Sequence, residues 1–222
     1  MSEDMRDLLR RVDDYVEGLF ATPDPALENA LRRSREAGLP EINVSATEGK
    51  LLRMLAEMVG ARRILEIGTL GGYSAIHLAR ALPENGALIS LELDERHAAV
   101  ARDNVAEAGL ESKVEVRVGD ARESLAGIDE NGEGPFDVVF IDADKGGYPE
   151  YLGWAIRLSR PGSLILGDNA IRGGGVLDPG DESSRAVREF NEKLARDPRL
   201  AAIVLPLIRE RIDGLAIARV RA

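Results

Sequence analysis

The chain has 222 residues, 44% of them apolar, which is enough to bury a substantial core, and no cysteine, which excludes disulfides, thiolate metal sites and a cysteine nucleophile. The absence of cysteine also favours a cytoplasmic protein. A formal charge of −10, with basic residues scattered among acidic ones, disfavours nucleic-acid binding, and neither a signal-peptide pattern nor an apolar run of about 18 residues predicts a membrane partner.

Helical and strand patterns alternate along the chain. Two amphipathic helices are predicted at residues 6–20 and 25–38, and a capping box of Ser45 and Glu48 predicts the start of a third, which runs to residue 60. Further helices are predicted at residues 73–82, 94–110, 149–159 and 183–195. Strands are predicted at residues 62–68, 87–93, 113–119, 136–142, 163–169, 201–207 and 214–220, the last two as an antiparallel pair. This order predicts a single α/β domain over residues 1–222, with a parallel sheet between two layers of helices.

Ligands of such a sheet bind at the carboxyl ends of its strands. The first strand ends in LEIGTLGGYS, residues 65–74, in which Gly68, Gly71 and Gly72 permit a tight turn and the close approach of a ligand. The spacing differs from the G-x-G-x-x-G of dinucleotide sites, and a carboxylate at Glu66 favours a ligand with an amino group over a pyrophosphate. A structural turn without a ligand is the alternative.

Acidic residues also end the next two strands. Glu92 stands where nucleotide-binding α/β proteins hold ribose hydroxyls, and Gly119, Asp120 and Ala121 follow the third strand. One acid for an amino group and one for a ribose predict a nucleoside joined to an amino acid, which describes S-adenosylmethionine. Taken alone, Glu92 is also consistent with a solvated strand end or a helix cap, and Asp94 with the cap beside it.

The segment FIDADK, residues 140–145, ends a buried strand with two carboxylates and an ammonium group. The next strand ends in Asp168 and Asn169, and if the two strands are neighbours, their ends lie about 5 Å apart. Asp142, Asp168 and Asn169 then present three oxygen donors with two negative charges, which predicts a hard divalent cation, Mg²⁺ ahead of Ca²⁺ or Mn²⁺. For Asp142 alone, a helix cap is the alternative.

The motifs LEIGTLGGYS, GDA, FDVVFIDADKGGYPEY and GDNAIRGG, in this order, resemble those of the class I S-adenosylmethionine-dependent, cation-dependent O-methyltransferases, the family of the caffeoyl-CoA and catechol enzymes. The resemblance extends from about Val44 to the C-terminus. It implies a Rossmann-like, seven-stranded sheet, a homodimer, and methyl transfer to one hydroxyl of a small phenolic substrate, a vicinal diphenol. The chain has Ile171 and Arg172 where plant members have Leu-Trp, a difference that concerns the acceptor.

The resemblance also implies roles for individual residues. The family's metal ligands match Asp142, Asp168 and Asn169, and its catalytic base matches Lys145, so we predict Lys145 and Asp142 as the catalytic residues. A dication nearby should help Lys145 to lose its proton and act as a base, whereas an ion pair with Asp142 or Asp144 is the alternative. The family's cofactor contacts match Val44, Glu66, Gly68, Thr69, Ser74, Glu92 and Ala121, to which we add Gly72, Asp120, Asp142 and Tyr151.

Three functions are compatible with these motifs. A metal-dependent O-methyltransferase is favoured. A nucleotide-dependent oxidoreductase is disfavoured by the glycine spacing, and a non-catalytic S-adenosylmethionine-binding module has no reason to combine the acids with Lys145.

Two further interpretations concern the helices. His77 and Trp154 lie within predicted helices and are interpreted as packing residues. The helices of residues 1–43 have no place in the sheet sandwich. We therefore expect them to form a cap on the active-site side of the core, residues 44–222, and to help form a homodimer.

Overall fold

The architecture is a seven-stranded, mostly parallel sheet. In the computed structural model, which describes residues 3–208 and 212–222, the strands are β1 (Arg63–Ile67), β2 (Ala87–Glu92), β3 (Val114–Val118), β4 (Phe136–Ile141), β5 (Ser159–Gly167), β6 (Leu200–Ile208) and β7 (Ile212–Val220). Their order across the sheet is β3-β2-β1-β4-β5-β7-β6. The first five strands run parallel, whereas β7 pairs antiparallel with β5 and with β6. The Rossmann-like α/β fold and its closing antiparallel pair are confirmed.

The helices follow the predicted alternation, with one addition. They are α1 (Glu3–Phe20), α2 (Pro25–Glu36), α3 (Ala46–Met58), α4 (Tyr73–Arg80), α5 (Glu95–Glu107), α6 (Ala121–Glu130), α7 (Tyr148–Arg157) and α8 (Glu182–Arg196). The sequence pattern did not predict α6. Only Leu125 and Ile128 of this helix are buried, and Gly127 lies between them, so its apolar period is too short to stand out.

Burial explains why β4 reads as a continuous apolar run. All six of its residues are buried, because helices cover both faces of the sheet. Val139 and Ile141 belong to the core on one face, and Val138 and Phe140 to the core on the other. The strand therefore lacks the alternation of a half-exposed strand and is held on both sides.

The register of the central strands brings their carboxyl ends to one level. Ile67 at the end of β1 lies opposite Ile141 of β4, which lies opposite Gly167 of β5. The backbone amide of Asp142 donates to the carbonyl of Ile67 at 2.8 Å, and that of Asp168 donates to Ile141 at 3.0 Å. Since crossovers from β1 and β4 diverge here, this edge of the sheet is the expected ligand site.

The N-terminal helix α1 packs only loosely on the rest of the chain. None of its residues is buried, and Nζ of Lys50 donates to the carbonyl of Phe20 at the helix end, at 2.6 Å. Within residues 3–208 and 212–222, no helix has both the length and the apolar character needed to cross a bilayer.

Candidate active site

A cavity of about 1070 Å³ opens at the carboxyl ends of β1, β4 and β5. Its volume is enough to hold two small molecules. Eight of the predicted site residues line it, namely Val44, Gly68, Thr69, Ser74, Asp142, Lys145, Asp168 and Asn169. The ends of β1, β4 and β5, which are far apart in the sequence, therefore line one cavity.

The glycine turn after β1 has the tight geometry that its sequence predicts. Gly68 has φ +95°, and a Cβ at this position would lie 2.3 Å from the carbonyl oxygen of Asp142. Gly72 precedes α4 with φ +80°. Any larger residue at Gly68 would push the turn away from β4, so this glycine allows the first and fourth strand ends to touch.

Glu66, near the end of β1, is completely buried beneath this turn. Its Oε2 accepts hydrogen bonds from the hydroxyls of Ser90 and Thr69, whereas Oε1 is buried without a hydrogen-bond partner in the described part of the chain. Burial raises the pKa of Glu66 to about 7, although the neighbouring serine hydroxyls lower it. A buried acceptor without a donor is costly, so Oε1 is a candidate for a ligand's donor group.

Glu92, at the end of β2, is tied to the glycine turn. Its Oε2 accepts from the backbone amides of Thr69 at 3.2 Å and Leu70 at 2.8 Å, and Oε1 accepts from the amide of Asp94 at 3.0 Å. The cap of α5 is Asp94, whose carboxylate accepts from the amides of Arg96 and His97. Glu92 is thus neither a helix cap nor a free strand end, and it is not among the residues that line the main cavity.

Asp120 and Ala121 follow β3, Tyr151 lies on α7 after β4, and none of the three is among the residues that line the main cavity. Asp120 caps α6. The amide of Gly119 donates to the carbonyl of Glu92 at 2.9 Å, which places the start of α6 beside the end of β2. The ring of Tyr151 lies under the guanidinium of Arg122, 5.5 Å from it. Tyr151 itself is buried, so the polar groups at the start of α6 are the exposed part of this region.

The two aspartates of the predicted metal site lie together at the floor of the cavity. Burial raises the pKa of both Asp142 and Asp168, and the charge of Asp142 raises that of Asp168 further. Asp144, not Asp142, is the residue that caps the short turn after β4. Two neighbouring carboxylates in mutual repulsion, one buried and one half-buried, form a site that a cation would stabilise.

The donor set is small. Within residues 3–208 and 212–222, no group of three or more histidine, cysteine, aspartate or glutamate side chains is arranged to hold a metal ion. The candidate set therefore consists of two carboxylates and the amide of Asn169, whose backbone is left-handed at φ +53°.

Lys145 lies directly beside this pair. Its Nζ donates to Oδ1 of Asp142 at 2.8 Å and to the hydroxyl of Tyr148 at 2.7 Å. The Tyr148 hydroxyl in turn shares its single proton between the carbonyl oxygens of Ile141 (3.1 Å) and Asp168 (2.9 Å). Of the two ion pairs considered, the one with Asp142 is present, whereas Asp144 accepts from Tyr151 instead, at 2.5 Å. The ammonium is thus fixed at the aspartate that the sequence assigns to a cation.

The outer wall of the cavity comes from the N-terminal helices. Arg10, Asp13, Asp14 and Glu17 of α1 line it, and their three- and four-residue spacing places them on one helix face. Residues of α2 line it as well. Both N-terminal helices therefore contribute residues to the wall of this cavity.

Sequence reasoning missed two carboxylates in the cavity. Glu48 was identified only as part of a capping box, which it does form with Ser45, yet it also lines the cavity. Asp213, on β7, gave no signal, because a single acid in an apolar strand has no motif around it. His77 is buried against the ring of Tyr73, with ring centroids 5.1 Å apart, as expected for a packing residue.

A Rossmann-like sheet with a glycine turn and buried carboxylates at its strand ends defines a class of α/β enzymes that bind their ligands at the topological switch point. A sequence profile described as O-methyltransferase matches residues 20–220. The chain belongs to this family, the class I S-adenosylmethionine-dependent O-methyltransferases.

Individual relatives match the whole length of the chain. It is 47% identical over 217 residues to a catechol O-methyltransferase of Niastella koreensis, covering 96% of this chain and 98% of the relative. It is 45% identical over 212 residues to a catechol O-methyltransferase of Mycobacterium tuberculosis, covering 95% of each chain. An O-methyltransferase of Bacillus cereus, solved in complex with S-adenosylhomocysteine (SAH), superposes with a TM-score of 0.95 at 44% identity, covering 98% of this chain and 100% of the other.

Proposed function

We propose that this enzyme transfers the methyl group of S-adenosylmethionine to one hydroxyl of a small vicinal-dihydroxy aromatic acceptor, with a divalent cation at Asp142, Asp168 and Asn169. The observation that carries the proposal is the pair of the half-buried Asp142 and the buried Asp168, with Nζ of Lys145 2.8 Å from Asp142, in an open cavity. The names of the two catechol O-methyltransferases to which the chain is similar support the choice of acceptor.

The donor occupies the side of the cavity formed by the glycine turn. The partnerless Oε1 of Glu66 receives the ammonium group of the methionine moiety. Glu92 accepts from three backbone amides and has roughly four lone-pair sites, so one remains for a ribose hydroxyl. The backbone of Gly68 and Gly72 lets the donor approach closely. Val44, Thr69, Ser74, Asp120, Ala121, Asp142 and Tyr151 complete the proposed contacts.

The donor set fits a hard divalent cation, since carboxylate and amide oxygens without nitrogen or sulfur suit Mg²⁺ ahead of Ca²⁺ or Mn²⁺. The raised pKa of both aspartates indicates that a positive charge would stabilise their ionised forms. A cation bound there would supply the Lewis acidity that makes an acceptor hydroxyl easier to ionise.

The chain's own residues perform the remaining steps. Lys145 takes the proton of the acceptor hydroxyl at Nζ, and the hydroxyl of Tyr148, 2.7 Å away, holds that nitrogen in place. The acceptor oxygen then forms a bond to the methyl carbon while the carbon–sulfur bond of the donor breaks. The cavity walls align the oxygen, carbon and sulfur, which lowers the entropy cost of the transfer.

The decisive experiment compares two acceptors with a radiolabelled methyl donor. A catechol should be methylated, its single-hydroxyl analogue should react at least about 100-fold more slowly because chelation and alignment are lost, and a chelator should abolish the reaction until Mg²⁺ is restored. Equal rates on both acceptors, undiminished by chelator, would contradict metal-templated transfer. Donor binding without transfer to any diphenol would favour the non-catalytic alternative.

The outer face of α1 suggests how the enzyme assembles. Its apolar residues are 46% to 67% exposed and recur at alternating spacings of three and four, namely Met5, Leu8, Val12, Tyr15 and Leu19. This is the seam of a coiled coil. We infer that α1 of a second copy covers it, so that residues 1–43 cap the core of residues 44–222 and also join two chains in a homodimer.

Light scattering tests the assembly. The full chain should have the mass of a dimer at micromolar concentration, and Leu8→Glu should shift it to monomer because a charge would enter the apolar seam. Glu3→Lys on the same helix is the control and should remain dimeric. A monomeric wild-type chain would contradict the inference.

A further inference from the structure

One carboxylate beside the candidate metal site has no part in the reaction described above. Asp213 lies at the start of β7 and lines the cavity. Its Oδ1 accepts from the backbone amides of Ile171 (3.2 Å), Arg172 (3.0 Å) and Gly214 (2.9 Å). Its Oδ2 accepts from Nδ2 of Asn169 at 3.4 Å. A single side chain on the antiparallel strand thus holds both the proposed amide ligand and the segment that follows it.

This contact determines which atom of Asn169 is left for a cation. An asparagine amide has a donating Nδ2 and an accepting Oδ1, whereas an ionised carboxylate only accepts. Because Asp213 takes the Nδ2 end, Oδ1 points away from it, and a hard cation binds oxygen and not an NH₂ group. Without Asp213 the amide could rotate about its broad terminal torsion and present either end.

The backbone around Asn169 needs the same support. Asn169 has φ +53° and Arg172 has φ +52°, and both values lie in the left-handed region that residues other than glycine rarely adopt. Such conformations persist only where surrounding contacts hold them. The hydrogen bonds from the amides of Ile171 and Arg172 to Asp213 provide that hold at the point where the chain leaves β5.

We propose that Asp213 is a positioning residue for the cation site, which fixes the Asn169 amide with Oδ1 toward the cation. The proposal rests on the metal dependence inferred above. Asp213 acts through Asn169 and not as a ligand, because its Oδ1 is occupied by three amides and its Oδ2 by the amide of Asn169.

The first test measures Mn²⁺ binding to the full chain by electron paramagnetic resonance, without acceptor or turnover. Asp213→Asn should weaken Mn²⁺ binding roughly 10- to 100-fold, as loss of a hydrogen-bond partner of a metal ligand commonly does. The affinity for SAH should stay within about twofold, because the donor contacts lie elsewhere. An unchanged Mn²⁺ affinity in this variant would overturn the proposal.

Asp137→Asn is the matched control. Asp137 also accepts two backbone amides, those of Arg62 and Arg63, but it does so at the opposite edge of the sheet. This variant should lose stability yet bind Mn²⁺ within about twofold of the wild type, since the two sites are far apart. Equal weakening in both variants would mean that Asp213 acts only through general stability, and the proposal would fall.

A double variant tests whether Asp213 acts by orienting Asn169 or merely by its negative charge. In Asn169→Asp, the ligand keeps an oxygen but has no NH₂ group to donate, so Asp213 can no longer orient it. Adding Asp213→Asn to that background should leave Mn²⁺ binding unchanged or tighten it, because the new amide can donate to the aspartate at 169. A further loss there, as large as in the wild-type background, would show that Asp213 is a ligand or a bulk charge.

These outcomes also separate the inference from the proposed function. A wild-type chain that binds no Mn²⁺ would overturn the metal site itself, and the inference with it. A wild-type chain that binds Mn²⁺, with Asp213→Asn unaffected, would overturn the inference alone.

Discussion

The two ends of β4 each carry an aspartate, and their surroundings are opposite. Asp137, at the amino end, accepts from the backbone amides of Arg62 and Arg63 and from the guanidinium of Arg160. Burial alone would raise its pKa, but these donors prevail and lower it. Asp142, at the carboxyl end, accepts a hydrogen bond from Nζ of Lys145, but burial prevails there, so its pKa is raised.

The difference distinguishes a structural carboxylate from one placed for a ligand. At the amino end, the negative charge is satisfied by the chain itself and contributes to stability. At the carboxyl end, burial raises the pKa values of Asp142, Asp168 and the fully buried Glu66, even though Lys145 pairs with Asp142. Carboxylates with raised pKa values that cluster at a cavity are typical of a site that its ligands complete.

The largest effect on activity is expected when the lysine at the carboxyl end of β4 is replaced. Lys145→Ala should lower kcat by about 10²- to 10⁴-fold, because the proposed base is lost, while the affinity for SAH is nearly retained. Lys113→Ala is the control at the other edge of the sheet, where Nζ of Lys113 donates to the carbonyl of Leu82 at 2.9 Å. Its kcat should be unchanged. Radiolabelled methyl transfer measures both, and an unaffected Lys145→Ala would reduce that residue to an ion-pair partner.

A smaller effect is expected at Glu66. Glu66→Gln should weaken SAH binding by about 1.5–3 kcal/mol, the range for a hydrogen bond to a charged group. Calorimetry should show no such loss in Glu133→Gln, whose carboxylate pairs with Arg117 at 2.7 Å near the opposite edge. Similar losses in both variants would remove Glu66 from the donor site.

The pH dependence of SAH binding tests the same role of Glu66. The pKa of Glu66 is raised to about 7, and the ammonium of the ligand requires the ionised carboxylate. Protons therefore compete with the ligand, and SAH affinity should fall by up to about tenfold per pH unit below pH 7. This dependence should disappear in Glu66→Gln. A wild-type affinity that is constant between pH 5 and 7 would contradict the assignment.

The smallest effect concerns stability alone. Asp137→Asn should lower the free energy of unfolding by about 1–3 kcal/mol at neutral pH, since buried hydrogen bonds to a charged group are weakened. Because the folded-state pKa of Asp137 is lowered, the wild-type advantage should be present above about pH 4 and should vanish as the pH falls further. Urea unfolding measures the difference, and an unchanged midpoint would mean that Asp137 is not stabilising.

The local features of the site were readable from the chain itself. Strand periodicity located the ends of β1, β2, β4 and β5, and glycines and acids mark those ends because tight turns and ligand contacts need these residue types. Glu66, Asp142 and Asp168 are therefore predicted as site residues from the sequence alone. The helix α6 and the role of Asp213 were not predicted, because neither segment has a clear apolar periodicity or a recognisable motif.

The amino-acid sequence by itself determined which segments become strands and helices and which of their ends carry chemistry, because both depend on neighbours within a few residues. Only the tertiary structure decided which of those ends meet. The adjacency of β1 and β4 and the return of Asp213 on β7 to Asn169 join residues far apart in the chain. Such pairings depend on how the crossovers wind and on the register of the strands, and these are set by packing of the whole sheet and not by local preference.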